Sequence, residues 1–381
     1  MLQIDDDIGN RKDTPTDVKA PAESVVAPFW RAPAGLPAGR MPGEVLSDLS
    51  DHDLAARFNR LTPDQILASV ESLGVRATGR FIILNSFENR VYQLELEDDG
   101  WVVGKFYRPG RWSRRTILAE HRFLRDLRAE EIPVIAPLEL VSGETLGEIE
   151  GIFYCFYPRV GGRSPDELND EQLRIIGRLL ARIHNVGACA DESHRVKLDV
   201  TTYGWANLAW LMDNDVVPTE VRAIFADTVR VLLERIAPMF APVPMHRIHG
   251  DCHVGNLIDG PEGLTFLDFD DMVIGPAVQD VWMLVPSFDE HGRAQRETLL
   301  EAYSEFRSFS PSWLRLVEPL RALRFLRYAT WVARRFHDPI FQSTFNHFGT
   351  LLYWQREVQD LREQIARLDM ADELRVTSLP R

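Results

Sequence analysis

Several common features are scarce or missing in this 381-residue sequence, and each absence narrows the class of protein. Only three cysteines occur, Cys155, Cys189 and Cys252; with no Cys-x-x-Cys pair and an odd number, we expect reduced thiols. No apolar run approaches the ~20 residues that a membrane-spanning helix requires. The first residues, Met-Leu-Gln-Ile-Asp-Asp-Asp, are acidic where a signal peptide would be basic. These absences predict a cytoplasmic protein with no membrane partner.

Basic residues are also fewer than acidic residues. The sequence has 43 Lys and Arg against 57 Asp and Glu, a formal net charge of −14. Nucleic acids and anionic membranes favour basic surfaces, so neither is expected as the main partner. Small cations or basic protein segments fit this charge better. The hydrophobic content of 45% is ample for a large core and for two lobes.

The stretch that carries chemistry is His249-Gly-Asp-Cys-His-Val-Gly-Asn256, followed by a predicted hairpin and Leu267-Asp-Phe-Asp-Asp271. If Asp259 pairs with Leu264 in that hairpin, Asn256 lies opposite Leu267. The side chains of Asp251, Asn256 and Asp268 then converge at one end of the hairpin. Three oxygen-bearing side chains at this spacing predict a phosphoryl-transfer site.

Magnesium and ATP would suit such a site, because Mg²⁺ is usually held by one or two protein oxygens and by the nucleotide's phosphates. In kinases an Asp accepts the proton of the acceptor hydroxyl, an Asn a few residues on binds metal, and a second Asp binds metal after a further strand. Asp251, Asn256 and Asp268 occur in that order. We therefore predict Asp251 and Asp268 as catalytic residues, Asn256 and Asp268 as Mg²⁺ ligands, and ATP as co-substrate.

A metal-dependent phosphoesterase is the competing interpretation, with His249, Asp251 and His253 as ligands. A two-metal site needs further His and carboxylate ligands, and the remaining histidines are scattered without ligand spacing. We expect His249 and His253 to orient the loop through hydrogen bonds to its backbone instead. Asp280 is a candidate for binding the same loop from below, and His184 is expected to be structural.

Three strands are predicted near the beginning of the globular part, at 81–84, 91–96 and 101–107. The loop between the first two would cover the ATP phosphates, although the sequence has neither a G-x-G-x-x-G nor a Walker A motif. This loop would hold phosphate through Ser86, its backbone amides and Asn89. By itself it is weak evidence.

A lysine in the third strand is more informative. Lys105 stands among Trp, Val, Phe and Tyr, and Glu120 falls on the apolar face of a helix predicted from Arg114 to Leu127. Lys and Glu are rarely buried unless they are paired. We predict a Lys105–Glu120 ion pair that positions the ATP phosphates, as in kinases. The basic run from Arg108 to Arg115 is a candidate for approaching an anion, although such runs are more often solvated.

The remaining sequence predicts a mostly helical second part. An apolar strand, Gly151–Tyr157, ends at Pro158, and Gly161-Gly162 supplies a connector. Predicted helices follow from about 173, and then at about 204–213, 217–237, 293–307, 312–336 and 349–368. We predict a disordered tail at 1–44, an N-lobe at 45–158, a C-lobe at 159–368 and a flexible C-terminus at 369–381.

Three motifs in one order, Leu84–Gln93, His249–Asn256 and Gly275–Leu284, resemble the stress response kinase A family. That family lies within the aminoglycoside phosphotransferase and choline kinase superfamily, and the resemblance covers about residues 50–368. It implies an α+β, two-lobed, protein-kinase-like fold with a small β-rich N-lobe and a larger helical C-lobe. It also implies ATP- and Mg-dependent phosphorylation of protein Ser/Thr, including the protein itself, under stress.

Carried over by position, the resemblance makes Asp251 the proton acceptor, Asn256 and Asp268 the Mg²⁺ ligands, and Ser86 an ATP contact. Adenine would lie against backbone groups at 156–159, and a monomer is expected. Two alternatives remain open. One is a kinase for a small alcohol such as an aminoglycoside or choline, and the other is an ATP-binding pseudokinase, which the presence of Lys105 and the three site residues disfavours.

Overall fold

The computed structural model describes residues 56–84, 86–98, 100–190, 194–287 and 289–377, with side chains as far as Leu368. The predicted tail, 1–44, lies outside the described residues. Thr62 begins the first helix, α1 (Pro63–Ser69), through a capping box in which its hydroxyl accepts from Gln65 N and its own N–H donates to the Gln65 side chain. Pro63 follows Thr62 at the first turn, where its missing N–H costs no hydrogen bond.

A five-stranded antiparallel sheet forms the smaller lobe. Its strands are β1 (Ala77–Leu84), β2 (Arg90–Leu96), β3 (Trp101–Phe106), β4 (Gly147–Ile149) and β5 (Ile152–Pro158). They lie in the order β1-β2-β3-β5-β4. The side chains of Leu94, Phe106 and Phe156 are fully buried between this sheet and α1. The predicted meander of three strands is confirmed, whereas β4 was not predicted.

Helix α2 (Arg114–Ala129) follows the meander and is capped by Ser113, whose hydroxyl accepts from Thr116 N. Its apolar face carries Ile117 and Leu124 into the interior, as the sequence indicated. Glu120 lies on the same face and is 1% exposed. Strand β3 and helix α2 therefore bring Lys105 and Glu120 into one buried region.

The larger lobe is mostly helical and encloses two short ribbons of strands. Its helices are α3 (Asp170–Ala188), α4 (Ala206–Asp213), α5 (Thr219–Phe240), α6 (Val278–Leu284), α7 (Glu290–Ser304), α8 (Val317–Arg335), α9 (Pro339–Thr344) and α10 (Leu351–Thr377). The predicted helices are confirmed, and α9 is additional. The backbone of α10 stays helical into the part that was predicted to be flexible. No helix among the described residues is long and apolar enough to cross a membrane.

Two small antiparallel ribbons hold the loops of the larger lobe. One pairs β6 (Met245–Ile248) with β9 (Val273–Pro276), and the other pairs β7 (Leu257–Gly260) with β8 (Gly263–Phe266). Asp259 pairs with Leu264, as predicted. The β6–β9 ribbon was not predicted, because its strands are 24 residues apart at the nearest ends. It closes the segment from His249 to Met272 into one loop structure.

Candidate active site

The loop His249–Asn256 connects β6 to β7. Gly250 has a φ of 86°, and a Cβ there would lie 2.2 Å from the backbone oxygen of Asp271, so only glycine fits. Asp280, on α6, accepts hydrogen bonds of 2.9 Å from the backbone nitrogens of His249 and Gly250. The Asp280 carboxylate thus fixes the beginning of the loop, and this predicted contact is confirmed.

Asp280 is itself held by a buried histidine. His184 Nε2 lies 3.0 Å from Asp280 Oδ2, and the Tyr303 hydroxyl lies 2.9 Å from His184 Nδ1. A carboxylate can only accept, so Nε2 donates to it and Nδ1 accepts from Tyr303. Burial lowers the pKa of His184, which keeps the ring neutral. The structural role predicted for His184 is confirmed.

The two histidines of the loop differ in what they contact. His249 is fully buried, and its Nε2 donates 2.9 Å to the backbone oxygen of Leu267, while its ring lies 4.4 Å from that of Phe269. His249 therefore ties the loop to the chain on either side of Asp268. Its Nδ1 also accepts a hydrogen bond of 3.4 Å from the Asp251 nitrogen, so the predicted bond to the loop backbone is confirmed. His253 does not bond the loop backbone; its Nε2 lies 3.4 Å from Asp251 Oδ2. That prediction was wrong, because the ring lies at the half-exposed outer side of the loop.

The Asp251 carboxylate is held between Arg324 and His253. Arg324 Nη1, from α8, donates to Asp251 Oδ1 at 2.9 Å, and His253 lies on the other oxygen. Burial alone would raise the pKa of Asp251, but the His253 hydrogen bond and the Arg324 charge hold it well below its usual value. The carboxylate is ionised and has a side-chain exposure of 26%, so it is accessible to a hydroxyl group.

Asn256 and Asp268 lie at the same end of the β7–β8 hairpin. The Leu267 nitrogen donates to the Asn256 backbone oxygen at 3.1 Å, which confirms the predicted register. The Asn256 side-chain nitrogen donates to the Asp251 backbone oxygen at 2.9 Å. This bond directs the amide oxygen of Asn256 away from the loop. Asp268 follows with a left-handed backbone (φ 59°, ψ 63°) and is half-exposed.

Lys105 reaches this end of the hairpin from the other lobe. Its side chain is 7% exposed, and its Nζ lies 2.9 Å from Asp268 Oδ1 and 3.7 Å from Asp270 Oδ2. Burial alone would lower the pKa of Lys105, but the Asp268 and Asp270 carboxylates raise it, so the amine remains charged. The predicted burial of Lys105 beside an anion is confirmed.

The predicted partner of Lys105 was wrong. Lys105 makes no direct ion pair with Glu120, because Asp268 and Asp270 supply its counter-charge. Glu120 Oε1 accepts a long hydrogen bond of 3.5 Å from the Tyr157 hydroxyl, and Oε2 has no partner among the described residues. Burial raises the pKa of Glu120 to about 7. Glu120 therefore contributes a buried, partly neutral carboxyl group behind Lys105.

Asp270 is a site residue that sequence reasoning missed. It is 3% exposed, forms an ion pair with Arg111, and accepts a hydrogen bond of 2.9 Å from Asn89 Nδ2. Arg195, also buried, donates to the Asp270 backbone oxygen at 2.5 Å. The run of acids after Leu267 and the basic run containing Arg111 were the available signals for this cluster. Arg195 had none, since it is isolated in the sequence.

The loop between β1 and β2 lies over this cluster. Ser86 is exposed, and its hydroxyl accepts a hydrogen bond of 3.2 Å from the Asn89 nitrogen. Because Asn89 also binds Asp270, the Ser86 loop is connected directly to the segment that carries Asp268. The structure thus brings Ser86, Lys105, Glu120 and Asp268 into one region between the lobes.

The oxygen donors at this end of the hairpin are few. No group of three His, Cys, Asp or Glu side chains among the described residues could hold a metal ion. Magnesium bound with a nucleotide needs only one or two protein oxygens. Asp268 Oδ2 and the Asn256 amide oxygen accept no hydrogen bond within the described part of the chain, so both are available. The donors present fit Mg²⁺ held together with phosphate.

The cysteines take no part in this region. All three are free thiols, with Cys155 and Cys252 buried and Cys189 exposed. Burial raises the pKa of Cys252 well above its ordinary value, although this residue follows Asp251 directly. A protonated, inaccessible thiol is unreactive. Free thiols at all three positions agree with the expectation of reduced cysteines.

Comparison with solved structures supports the fold. Amicoumacin kinase hAmiN, in complex with AMP-PNP, Ca²⁺ and Ami, is 17% identical and has a TM-score of 0.64, with 81% of this chain and 96% of that chain covered. A spectinomycin phosphotransferase, in complex with ADP and spectinomycin, is 14% identical with a TM-score of 0.57 and coverage of 80% and 99%. At these identities the likeness shows the two-lobed fold alone.

Comparison with sequences is more specific. The family model described as "Phosphotransferase enzyme family" matches residues 82–317. "Stress response kinase A" of Escherichia coli strain K12 is 37% identical over 313 residues, which cover 81% of this chain and 94% of that protein. "Serine/threonine protein kinase RdoA" of Salmonella typhimurium is 37% identical over 316 residues, with coverage of 82% and 95%. This chain is therefore a kinase that belongs to the phosphotransferase enzyme family, among relatives of stress response kinase A.

Proposed function

We propose that the protein is an ATP- and Mg²⁺-dependent serine/threonine protein kinase that acts in a stress response. The observation that carries this proposal is the approach of Asp251, Asn256 and Asp268 to one end of the β7–β8 hairpin. Lys105 joins them from the other lobe, 2.9 Å from Asp268. A proton acceptor, two metal-ligand oxygens and a phosphate-binding cation are the groups that phosphoryl transfer requires.

In this mechanism Asp251 orients the acceptor hydroxyl through one carboxylate oxygen. The hydroxyl oxygen attacks the γ-phosphorus, the bond to the β–γ bridging oxygen breaks, and Asp251 accepts the hydroxyl proton. The low pKa of Asp251 makes it a weak base. A weak base suits a loose transition state, in which the proton is transferred late and positioning dominates.

The nucleotide would be held by residues of both lobes. Asn256 and Asp268 would hold the Mg²⁺ ion, which neutralises charge on the β- and γ-phosphates when it is bound. Lys105 would bind phosphate oxygens, with the buried carboxyl group of Glu120 behind it. Ser86 and the backbone of its loop would cover the phosphates from above. Because the nucleotide would contact both lobes, closure of the lobes around it would exclude water from the site.

A polypeptide acceptor is preferred to a small alcohol because of the sequence relatives. The Salmonella typhimurium relative is named a serine/threonine protein kinase, and the aligned region covers 95% of it. The solved neighbours include kinases for antibiotics, but at 14–17% identity they share only the fold. The cytoplasmic location, the monomeric state and the lack of nucleic-acid and membrane partners remain predictions.

Transfer of label from [γ-³²P]ATP to protein tests the proposal. We expect Mg²⁺-dependent label on Ser or Thr of the protein itself and of added proteins, and its loss in Asp251→Asn. Loss of a general base typically costs a factor of roughly 10² to 10⁴ in rate. Asp259→Asn removes the same charge from an exposed position of β7, the strand that follows the Asp251 loop, and is the matched control, in which labelling should persist.

The outcomes separate the competing functions. Label only on an aminoglycoside, choline or another small alcohol would overturn the protein-kinase assignment and favour a small-molecule kinase. Full labelling of protein by Asp251→Asn would overturn the role of Asp251. ATP binding without transfer to any acceptor would indicate a pseudokinase.

A further inference from the structure

Two arginines lie on one face of α8, and one of them contacts the proposed proton acceptor, Asp251. Arg324 and Arg327 are three residues apart and so are neighbours on the helix surface. Arg324 is half-exposed and donates to Asp251 Oδ1 at 2.9 Å. The Arg327 guanidinium lies 5.5 Å from the centre of the Tyr203 ring. Although the whole chain has a net charge of −14, two arginines are adjacent at this end of the site.

The position of Arg324 is close to where an acceptor would bind. A hydroxyl hydrogen-bonded to Asp251 would lie about 2.7 Å from the carboxylate. Since Arg324 binds the same carboxylate at 2.9 Å, its guanidinium would be within about 6 Å of the acceptor oxygen. The side chain of a residue adjacent to the acceptor Ser or Thr spans that distance. Arg324 can therefore contact the acceptor while Asp251 holds its hydroxyl.

The contacts of Arg324 differ from those of the structural arginines in this protein. Arg195 is 5% exposed and donates to three backbone oxygens, those of Thr116, Asp270 and Met272. Arg324 is 44% exposed, and Asp251 is its one hydrogen-bond partner among the described residues. Arg327 forms no ion pair within that part of the chain. The Arg324 guanidinium thus retains free donors that face solvent.

The acids near these arginines are already engaged or partly neutral. Asp271 forms an ion pair with Arg111, with 2.7 Å between Oδ1 and Nη2. Glu357 interacts electrostatically with Tyr328, the residue after Arg327. Burial raises the pKa of Glu357 to about 7, so this carboxyl group is partly neutral. The arrangement favours an incoming anion over an incoming cation. A basic or choline-like acceptor would meet like charge here.

We propose that Arg324, with Arg327 beside it, selects polypeptide acceptors that carry an acidic residue next to the Ser or Thr hydroxyl. Such a carboxylate forms charge-assisted hydrogen bonds with the Arg324 fork. In doing so it competes with Asp251 for Arg324 and leaves Asp251 free for the hydroxyl. This inference rests on the proposed protein-kinase function, and it reverses the expectation from net charge that basic segments fit better.

Four peptides, each with a single Ser, test the acceptor preference. They carry Glu before the Ser, Glu after the Ser, neutral residues on both sides, or Lys on both sides. With the full-length wild-type protein we expect kcat/KM to be about tenfold higher for one of the Glu peptides than for the neutral peptide, the size of a charge-assisted contact. The Lys peptide should be the poorest acceptor. Arg324→Gln should reduce the preference for Glu to about twofold or less, Arg324→Lys should retain part of it, and Arg324→Glu should favour the Lys peptide.

Arg230→Gln is the matched control, because Arg230 is 43% exposed and pairs with acids of its own helix, α5. It should keep the wild-type preference. Equal kcat/KM for all peptides, or a Glu preference that survives both Arg324→Gln and Arg324→Glu, would overturn the inference while leaving the kinase function intact. Absence of transfer to any peptide or protein, with label on a small alcohol instead, would overturn the proposed function and this inference together.

Discussion

Arg335 donates a hydrogen bond of 2.6 Å to Glu88 Oε1 and so joins helix α8 to the loop between β1 and β2. Trp331, also on α8, donates from Nε1 to the other oxygen of Glu88 at 2.6 Å. Arg324 lies eleven residues before Arg335, about 16 Å along the same helix. One helix therefore contacts both the loop proposed to cover the phosphates and the proposed proton acceptor, Asp251.

Aromatic contacts hold the tip of the same loop. The Phe87 ring lies 6.5 Å from that of Phe341 and 6.2 Å from that of Phe345. Phe341 is fully buried on α9. Phosphate-covering loops are usually rich in glycine, which lets the backbone approach the ligand. Here the loop has no glycine, and contacts with the C-lobe position it instead.

Glu88→Gln should weaken this connection between the lobes. The change leaves Arg335 without a counter-charge at a position where its side chain is only about one tenth exposed, and it leaves Arg108 with Asp338 alone. Breaking a buried ion pair from one side costs about 3–5 kcal/mol. We expect a lower free energy of unfolding in urea and weaker Mg-ATP binding by calorimetry.

Glu305→Gln is the control for this change, because Glu305 pairs with Arg178 at the surface. Surface pairs of this kind contribute little to stability. Glu305→Gln should therefore match wild type in both measurements. Wild-type stability and ATP affinity in Glu88→Gln would show that the connection does not position the loop.

The Glu88 contact should also be lost in acid. Burial alone would raise the pKa of Glu88, but Arg335, Arg111 and Arg108 lower it from 4.5 to about 2. Since the pKa is depressed in the folded state, the stabilisation is present above pH 4.5 and is lost as the pH falls towards 2. We expect the stability difference between wild type and Glu88→Gln to shrink across this window in denaturation at a series of pH values. A difference that is independent of pH would contradict the charge argument.

Glu120 should show the opposite pH dependence. Burial raises the pKa of Glu120 to about 7, above its ordinary value of 4.5. The folded protein then binds more protons than the unfolded chain between pH 4.5 and 7, so this group makes stability fall as the pH rises. In Glu120→Gln that fall is absent. Thermal unfolding at pH 5 and pH 8 should therefore show that the variant gains stability relative to wild type at the higher pH, and a constant difference would refute this.

The spacing in the sequence was sufficient to predict the hairpin that carries the site. Asn256 and Asp268 lie at the ends of a short ribbon, and antiparallel pairing determines which residues face each other. Asp280 could be identified as a candidate because its helix begins soon after Asp268 in the sequence. Local hydrogen-bond geometry was enough in these cases.

Contacts between distant parts of the chain could not be predicted in the same way. Lys105 contacts Asp268 and Asp270 rather than Glu120, and which of these three acids binds the lysine depends on how the lobes close. Arg324 reaches Asp251 across 73 residues of sequence. Its helix shows a normal amphipathic pattern, so periodicity reveals the buried face but not what the polar face contacts.

Substitutions of the two acids that contact Lys105 should have different effects, one mainly on nucleotide binding and the other mainly on the stability of the fold. Asp268 is 49% exposed and is a proposed Mg²⁺ ligand, whereas the Asp270 side chain is 4% exposed. Burial alone would raise the pKa of Asp270, but Arg111 and Lys105 lower it, so a buried charge holds this cluster together. We expect Asp270→Asn to reduce the free energy of unfolding by about 3–5 kcal/mol.

Asp268→Asn should instead change that free energy by no more than about 1 kcal/mol, because its ion pair with Lys105 is open to solvent on one side. It should lower the affinity for Mg-ATP, since a formal charge is removed from the proposed metal site. Urea denaturation and calorimetric titration at limiting Mg²⁺ measure the two effects separately. Unchanged Mg-ATP affinity in a folded Asp268→Asn protein would reject Asp268 as a metal ligand. A large stability loss in that variant would show that Asp268, like Asp270, mainly joins the lobes.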